Sequence, residues 1–379
     1  MYKISCKQQK NLNKLQIAIN KSYEMRSKRS LACVPIMAAA LISNVSYAEE
    51  FHQENINNRD YLVGVAVNSS DKDKHDFSTQ NAINISINKG QLNQDIDEVN
   101  GIYHYYGSDS SEFDSNINID TQNKDFSIKI DDSADKDNSS VSSVSGISIE
   151  GLSRKLDDGS IKTVKTDFNL NADNVNIDVK SVNAGSVYGI ESRGVGGQFD
   201  PEVANLDINA KGNISIKASS EKARFDQIFA VNSNNTGKIS LNGASVNLEA
   251  SLKTQESVLT ESWIDAVNAF YGTVDIKANN ANGKGVVMKA QGANNFIATI
   301  DLQNKNVGQI YKGETGHTII DEPDVNVPTS LIVKSASDIV VEADGTGSTR
   351  SPVMGIIARH YSWIQGDLTQ KVRQFSYLG

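Results

Sequence analysis

The sequence predicts an all-β protein, a right-handed parallel β-helix in which each coil contains three short strands. Three apolar segments recur along the chain, and the unit that contains them repeats every 32 to 57 residues. Apolar and polar residues alternate within two of the segments, which is typical of strands with one buried face. Like residues recur at like positions, so successive units are expected to stack in parallel register. The right hand follows from the general preference of parallel crossover connections.

The N-terminal region has the features of a signal peptide and is set apart from the fold. Eight basic residues precede an apolar stretch over residues 31–45. In Ser46-Tyr47-Ala48, which follows, small residues occupy the −3 and −1 positions of a signal-peptidase site. We therefore predict cleavage between Ala48 and Glu49. The apolar stretch is short for a stop-transfer helix, which needs about 20 residues. The predicted organisation is a signal peptide over 1–48, an N-terminal linker over 49–60 and β-helix repeats over 61–379.

Without the predicted signal peptide the chain is strongly acidic and has no cysteine. Residues 49–379 hold 29 basic and 45 acidic residues, a net charge of −16, and both Cys6 and Cys33 lie in the signal peptide. A nucleic acid partner is not expected, because phosphate binding requires clustered Lys and Arg. Exported proteins often carry disulfides, and a chain without cysteine suits export in an unfolded state through a narrow pore.

The first segment of each unit has an apolar residue followed, two positions later, by a small one. Eight small residues in register predict a crowded position where the backbone bends near the axis. The apolar column is Leu62, Val99, Val144, Val187, Ile228, Ile264, Phe296 and Val353. The small column is Gly64, Gly101, Gly146, Gly189, Ala230, Ala266, Ala298 and Gly355.

The second and third segments both read apolar–polar–apolar, and short corners rich in Asn, Asp and Gly join them. In these corners Asn171, Asn209 and Asn242 occupy equivalent positions and are expected to stack as an amide ladder. The columns of the second segment are Ile117, Phe168, Leu206, Ile239, Val274, Leu331 and Ile119, Leu170, Ile208, Leu241, Ile276, Val333. The columns of the third segment are Phe126, Val175, Ile214, Val246, Val286, Ile339 and Ile128, Ile177, Ile216, Leu248, Met288, Val341.

A charged residue follows the second apolar position of each third segment, and its sign alternates from unit to unit. This charged column is Lys129, Asp178, Lys217, Glu249, Lys289 and Glu342. If the units stack in parallel, each charge lies about 5 Å from an opposite one. The column therefore predicts that successive units pair in parallel register. It adds little stability, because an exposed ion pair contributes roughly 0–1 kcal/mol.

Together, the long basic leader, the cysteine-free exported part and the Asn- and Gly-rich three-strand repeats resemble the passenger domains of type V autotransporters. The resemblance covers nearly the whole chain and concerns its architecture, since no short motif carries it. It implies secretion to the cell surface of a bacterium with an outer membrane, with the export machinery and a C-terminal membrane barrel as partners. The last segment, around Trp363, predicts an unfinished coil, so we expect that barrel outside residues 1–379.

No catalytic or metal-binding motif is recognisable in the sequence. The nucleophile segments of serine proteases and esterases are absent, and the five histidines lack the spacing of metal ligands. Two acidic runs, 71–76 and 131–137, lack the glycine and glutamate positions of calcium loops. We therefore predict an adhesin or a structural stalk, with no enzyme activity, metal or cofactor.

A β-helical polysaccharide lyase or glycosidase is the alternative, because such enzymes place carboxylates on the outward face of adjacent coils. The candidates are Asp207 with Asp275, and Asp178 with Glu249. One unit separates the members of each pair, so they are expected about 10 Å apart, too far for a retaining glycosidase and marginal for an inverting one.

A host glycan or protein ligand is expected to bind the long connections, which are the variable elements of a repeat scaffold. The longest, 303–329, contains the predicted ligand-binding residues Tyr311, His317, Asp321 and Glu322. Further candidates are 150–166, 191–203 and 250–263. The aromatic run at 103–106 is either an exposed cluster or part of a packed N-terminal coil.

Overall fold

A computed structural model confirms the parallel β-helix with three strands per coil. Strands of three parallel sheets follow one another in turn along the chain, and the second and third sheets contain eight strands each. The described residues therefore form eight coils. They comprise 52–56, 59–68, 75–88, 96–105, 114–131, 141–156, 158–182, 184–195, 203–222, 227–235, 237–254, 263–292, 296–303, 311–312, 316–317, 329–345, 353–358, 363–366 and 370–372.

The three sheets are numbered in the order in which the chain visits them. The first contains β1 (His52–Ile56), β2 (Arg59–Asn68), β5 (Glu98–Tyr105), β8 (Ser143–Lys155), β12 (Ser186–Val195), β15 (Gln227–Asn234), β18 (Trp263–Phe270), β21 (Phe296–Gln303) and β26 (Val353–Ala358). The second contains β3 (His75–Ser78), β6 (Ser115–Asp120), β10 (Thr166–Ala172), β13 (Ala204–Ala210), β16 (Gly237–Gly243), β19 (Thr273–Ala278), β24 (Ser330–Ser335) and β27 (Trp363–Gly366). The third contains β4 (Ile83–Asn88), β7 (Phe126–Asp131), β11 (Val175–Ser181), β14 (Asn213–Lys222), β17 (Ser245–Thr254), β20 (Val286–Gln291), β25 (Ile339–Asp344) and β28 (Gln370–Val372).

Antiparallel pairs occur beside the parallel sheets. Strand β1 pairs antiparallel with β2 at the N-terminal edge of the first sheet, so part of the segment predicted as a linker, 49–60, forms a strand. Strand β9 (Ile161–Val164) folds back on the end of β8, and β22 (Tyr311–Lys312) pairs with β23 (Gly316–His317). No helix among the described residues is long and apolar enough to span a membrane.

The apolar columns predicted for the second and third segments are confirmed and form the core. Ile177 pairs in register with Ile128 on one side and Ile216 on the other, and Ile216 pairs with Leu248. All four side chains are fully buried in one cluster that runs through the coils. Burying each aliphatic side chain contributes about 1.5–3 kcal/mol before the entropy cost, so stacked coils support one another.

The charged column is also confirmed in register along the outer face of the third sheet. The Lys217 ammonium lies 3.1 Å from a Glu249 carboxylate oxygen, and that of Lys289 lies 2.9 Å from Glu342. These side chains are 34–43% exposed, so water screens the pairs and their role is to favour the parallel register.

The small column lies where the first-sheet strands bend, as predicted, but one unit was read out of register. In β12, Val187 and Ile190 both face the core, so the two-residue alternation breaks at Gly189. In β21, Ile297 pairs with Ile264 and with Val353, which places Ile297 and Thr299 in the columns assigned to Phe296 and Ala298. The prediction was wrong there because Phe296 faces outward, where it stacks on Trp263 with ring centroids 5.0 Å apart.

Amide ladders run along the outer face of the second sheet. Asn171, Asn209 and Asn242 align as predicted, and Nδ2 of Asn242 donates to Oδ1 of Asn209 at 3.3 Å. A second ladder, not foreseen, links Asn169 to Asn118 at 2.9 Å. Each bond joins neighbouring coils and so stabilises their register.

The connections between strands differ sharply in length around the helix. Those from the second sheet to the third have one to seven residues, whereas each connection of eight or more residues enters or leaves the first sheet. The first sheet is thus bordered on both sides by the variable elements of the scaffold.

Candidate functional site

The residues predicted to bind ligand are only partly within the described structure. Tyr311 and His317 pair across the β22–β23 hairpin through their backbones. Asp321 and Glu322 lie outside the described residues, as do Ala48 and Glu49 of the predicted cleavage site. The ligand-binding role of this connection stays a prediction.

The other predicted connections are shorter than expected, because the strands extend into them. Strand β8 and the antiparallel β9 occupy most of 150–166, and β12 continues to Val195. In the aromatic run, Tyr103 and Tyr105 are 4% and 6% exposed and His104 is fully buried, which confirms the packed coil. Tyr106 lies outside the described residues.

The carboxylate pairs considered for an enzyme are separated by one strand, as the sequence predicts. Ser240 lies in register between Asp207 and Asp275, and Lys217 lies between Asp178 and Glu249. Neither pair brings two carboxylates onto adjacent strands.

The outer face of the first sheet is the polar site that the sequence did not reveal. Three rows of side chains point away from the core here. The upstream row is Asn100, Ser145, Tyr188, Phe229 and Asp265. The middle row is Tyr103, Ser148, Glu191, Asn232, Asn268 and Asp301. The downstream row is Glu150, Arg193, Asn234, Phe270 and Gln303.

The middle row is buried although it faces away from the core. None of its side chains is more than 5% exposed, whereas outward residues of the second sheet, as in β13, are partly exposed. Burying polar groups costs free energy unless they are hydrogen-bonded. The polar groups of the middle row therefore depend on hydrogen bonds to one another and to the neighbouring rows.

A buried charge network joins the middle and downstream rows. Nε of Arg193 donates to Glu150 Oε1 at 3.0 Å, and a second guanidinium nitrogen contacts the same oxygen. Nη1 of Arg193 lies 3.9 Å from Glu191. The Tyr103 hydroxyl donates to Glu150 at 3.4 Å. The network thus holds one guanidinium between two carboxylates.

Neighbouring strands complete the hydrogen bonding of Glu191. Its two carboxylate oxygens accept from Oγ of Ser148 at 3.1 Å and from Nδ2 of Asn232 at 3.0 Å. Burial by itself lowers the pKa of Arg193, but the charges of Glu191 and Glu150 hold that pKa well above its ordinary value. Arg193 therefore remains cationic and fixes both carboxylates in place.

Aromatic side chains line the upstream border of the same face. Tyr188 packs against Phe229 with centroids 5.8 Å apart, and Trp263 and Phe296 stack on the next coils and are partly exposed. Burial, and then the charge of Glu191, raise the pKa of Tyr188, so its hydroxyl stays protonated and donates to Gln227 at 2.7 Å. Aromatic surfaces beside polar groups are common in binding sites.

A concavity lies at the C-terminal ends of the third-sheet strands. It has a volume of about 440 Å³ and is lined by Lys180, Ser219, Ser220, Glu221, Ser251, Leu252, Lys253 and Gln291. The Lys180 ammonium lies 2.8 Å from the Glu221 carboxylate. The hydrogen bond from Lys180 holds the pKa of Glu221 below its ordinary value, against a smaller opposing effect of burial.

Glu221→Gln is expected to change stability only above the acidic range. Because the folded pKa of Glu221 is lowered, its charge stabilises the fold above the unfolded pKa of about 4.3. That contribution disappears as the pH falls through the lower, folded pKa. At neutral pH we expect a loss of about 0.5 kcal/mol, measured by urea unfolding across pH. In a Lys180→Met background the pH-dependent effect should shrink, because only the weaker attraction of Lys253 remains, and an undiminished effect would contradict the pairing.

No group of three or more His, Cys, Asp or Glu residues in the described part of the chain could hold a metal ion. No family model matches this sequence, no curated protein matches it, and no solved structure matches its fold.

Proposed function

We propose that the chain is the exported passenger of an autotransporter-type surface protein and acts as an adhesin, with the first-sheet side as its binding face. The observation that carries the proposal is the position of the long connections, all of which border the first sheet. Variable connections on a rigid repeat scaffold are where binding functions are usually found. The buried polar rows and the aromatic border lie on that same face.

The export part of the proposal rests on the leader and on the absence of cysteine after residue 48. Its partners are the export machinery and a membrane barrel, and its location is the cell surface of a bacterium with an outer membrane. A structural stalk is the simpler form of the same proposal, in which the long column of stacked coils only extends the surface protein.

Two measurements test the proposal. The full chain is produced in a bacterial host, and the N-terminus of the exported protein is sequenced; we expect it to begin at Glu49. Beads coated with the exported protein should then attach to epithelial cells more than albumin-coated beads. Attachment no greater than that of albumin-coated beads would contradict the adhesin function and leave the structural stalk as the proposed role. Retention of residues 1–48 in the exported protein would contradict the predicted cleavage.

An enzyme remains a second candidate because the outer rows of the first sheet hold four carboxylates: Glu150, Glu191, Asp265 and Asp301. Two of these, Glu150 and Glu191, are already paired with Arg193. Incubation with neutral and acidic polysaccharides tests this candidate, since release of reducing or unsaturated ends would favour it over the adhesin.

A further inference from the structure

The downstream row opens to solvent at the centre of the first sheet. The connections from β15 to β16 and from β18 to β19 have only two residues each, whereas the connection from β12 to β13 has eight. A two-residue corner is too short to fold back over the strand that it follows. Accordingly, the two side chains that precede these corners, Asn234 and Phe270, are partly exposed, as are Arg193 and Gln303 on the neighbouring strands. We call these four residues the downstream notch.

The two short corners hold an uncommon backbone conformation. Asn235 and Tyr271, which occupy equivalent positions, have φ values of 45° and 54°. Left-handed φ is unfavourable for a residue with a large side chain, and such strain concentrates at functional sites. Tyr271 also packs edge-on against Phe270, with centroids 5.7 Å apart and planes at 83°. The strained corner thus places the Tyr271 ring directly against the Phe270 ring.

Polar groups flank that ring on the neighbouring coils. Asn234 and Gln303 lie in register on either side of Phe270. Within the described residues, Oδ1 of Asn234 and of the buried Asn232 makes no hydrogen bond. A buried acceptor without a donor costs free energy, and the partly exposed Asn234 side chain can recover it by turning its amide toward a ligand hydroxyl. Nε2 of Gln303 already donates to Asp301 at 2.7 Å, so its oxygen is directed away from that contact.

The charges of the face restrict the ligand. Its three outward rows hold four carboxylates and one guanidinium, and Arg193 is engaged by Glu150 and Glu191. In these rows of described residues an acidic ligand would meet an excess of carboxylates, with the one guanidinium already paired, and would be repelled. A neutral ligand rich in hydroxyl groups can donate to amide and carboxylate oxygens and can stack its apolar face on an aromatic ring.

We infer that the downstream notch binds a neutral polysaccharide, one sugar of which stacks on Phe270 while its hydroxyls bond to Asn234 and Gln303. Successive coils rise by about 4.7–4.9 Å, similar to the length of a sugar unit in an extended chain, so the polymer would follow the axis. The inference deepens the proposed function, on which it rests, by naming the class of ligand and its contacts.

The test uses the full exported chain and isothermal titration with linear β-glucan and mannan, against polygalacturonate and heparin as acidic probes. Neutral polymers should bind and acidic ones should not. Phe270→Leu keeps an apolar side chain but removes the ring, and it should weaken binding roughly tenfold, equivalent to one stacking contact. Phe270→Tyr should retain binding. Asn234→Ala should weaken it, whereas the matched control Asn242→Ala, on the second-sheet ladder, should not.

The outcomes separate the ligand class from the adhesin function. Preferential binding of acidic polymers, or neutral binding unchanged by Phe270→Leu and Asn234→Ala, would overturn the inference. So would the absence of glycan binding by a chain that still attaches to cells, in which case the adhesin proposal survives. If the beads do not attach and neutral polymers still bind at the notch, the inference stands and the adhesin proposal fails.

Discussion

Gly189→Ala is expected to destabilise the β-helix by about 3 kcal/mol, the upper part of the range for overpacking a core. A Cβ atom at Gly189 would lie 2.4 Å from the backbone oxygen of Ala230 and 2.4 Å from Cγ2 of Ile216. The first contact is with backbone on the next coil, so the strands themselves would have to separate. Urea unfolding followed by circular dichroism measures the change in midpoint.

Gly355→Ala is the matched control, because Gly355 occupies the same column in the last coil. There the nearest atom to an added Cβ, Cγ1 of Val341, is 3.8 Å away, an ordinary contact. We expect its effect to be within about 0.5 kcal/mol. Equal effects of the two substitutions would show that the bend at Gly189 is not crowded.

Arg193→Ala is expected to cost about 3 kcal/mol, the lower part of the range for breaking a buried ion pair. The lower part applies because 36% of the Arg193 side chain is exposed, which lets water screen its charge. The carboxylates of Glu150 and Glu191 are only 10% and 6% exposed. Without the guanidinium they would remain buried and uncompensated. Thermal and urea unfolding at neutral pH measure the loss.

The loss of stability in Arg193→Ala is best judged against the loss of an exposed ion pair. Lys289→Ala is the control, because it breaks the exposed pair with Glu342 and should cost no more than about 1 kcal/mol. A loss of the same size in both variants would contradict the buried character of the first-sheet network.

Strict alternation made the second and third sheets predictable from the sequence. Where apolar residues recur every second position, as at Ile214 and Ile216, the inward face and the register follow from the pattern alone. The first sheet was harder because its bend breaks the alternation. Phe296 fitted the apolar column by hydrophobicity, and only its stack on Trp263 shows that it faces outward.

The candidate site could not be predicted because its residues meet only across coils. Arg193 and Glu150 are 43 residues apart in the chain and become neighbours through the register of β12 on β8. A signal was nevertheless present: in the central units a polar residue recurs two positions after the small one, as at Ser148, Glu191 and Asn232. The carboxylates considered for an enzyme, such as Asp207 and Asp275, alternate with buried apolar residues along their strands. They therefore lie on the ordinary outward face of the second sheet.

Because the charges of the third sheet alternate in sign, the number of coils that is inserted or deleted decides whether opposite charges still pair. Loss of one internal coil would bring together two like charges, for example Lys217 and Lys289 if the coil with Glu249 were removed. Loss of two consecutive coils would restore the match. Each mismatch costs only a few tenths of a kcal/mol. Even so, we expect evolution to favour duplications and deletions that add or remove an even number of coils.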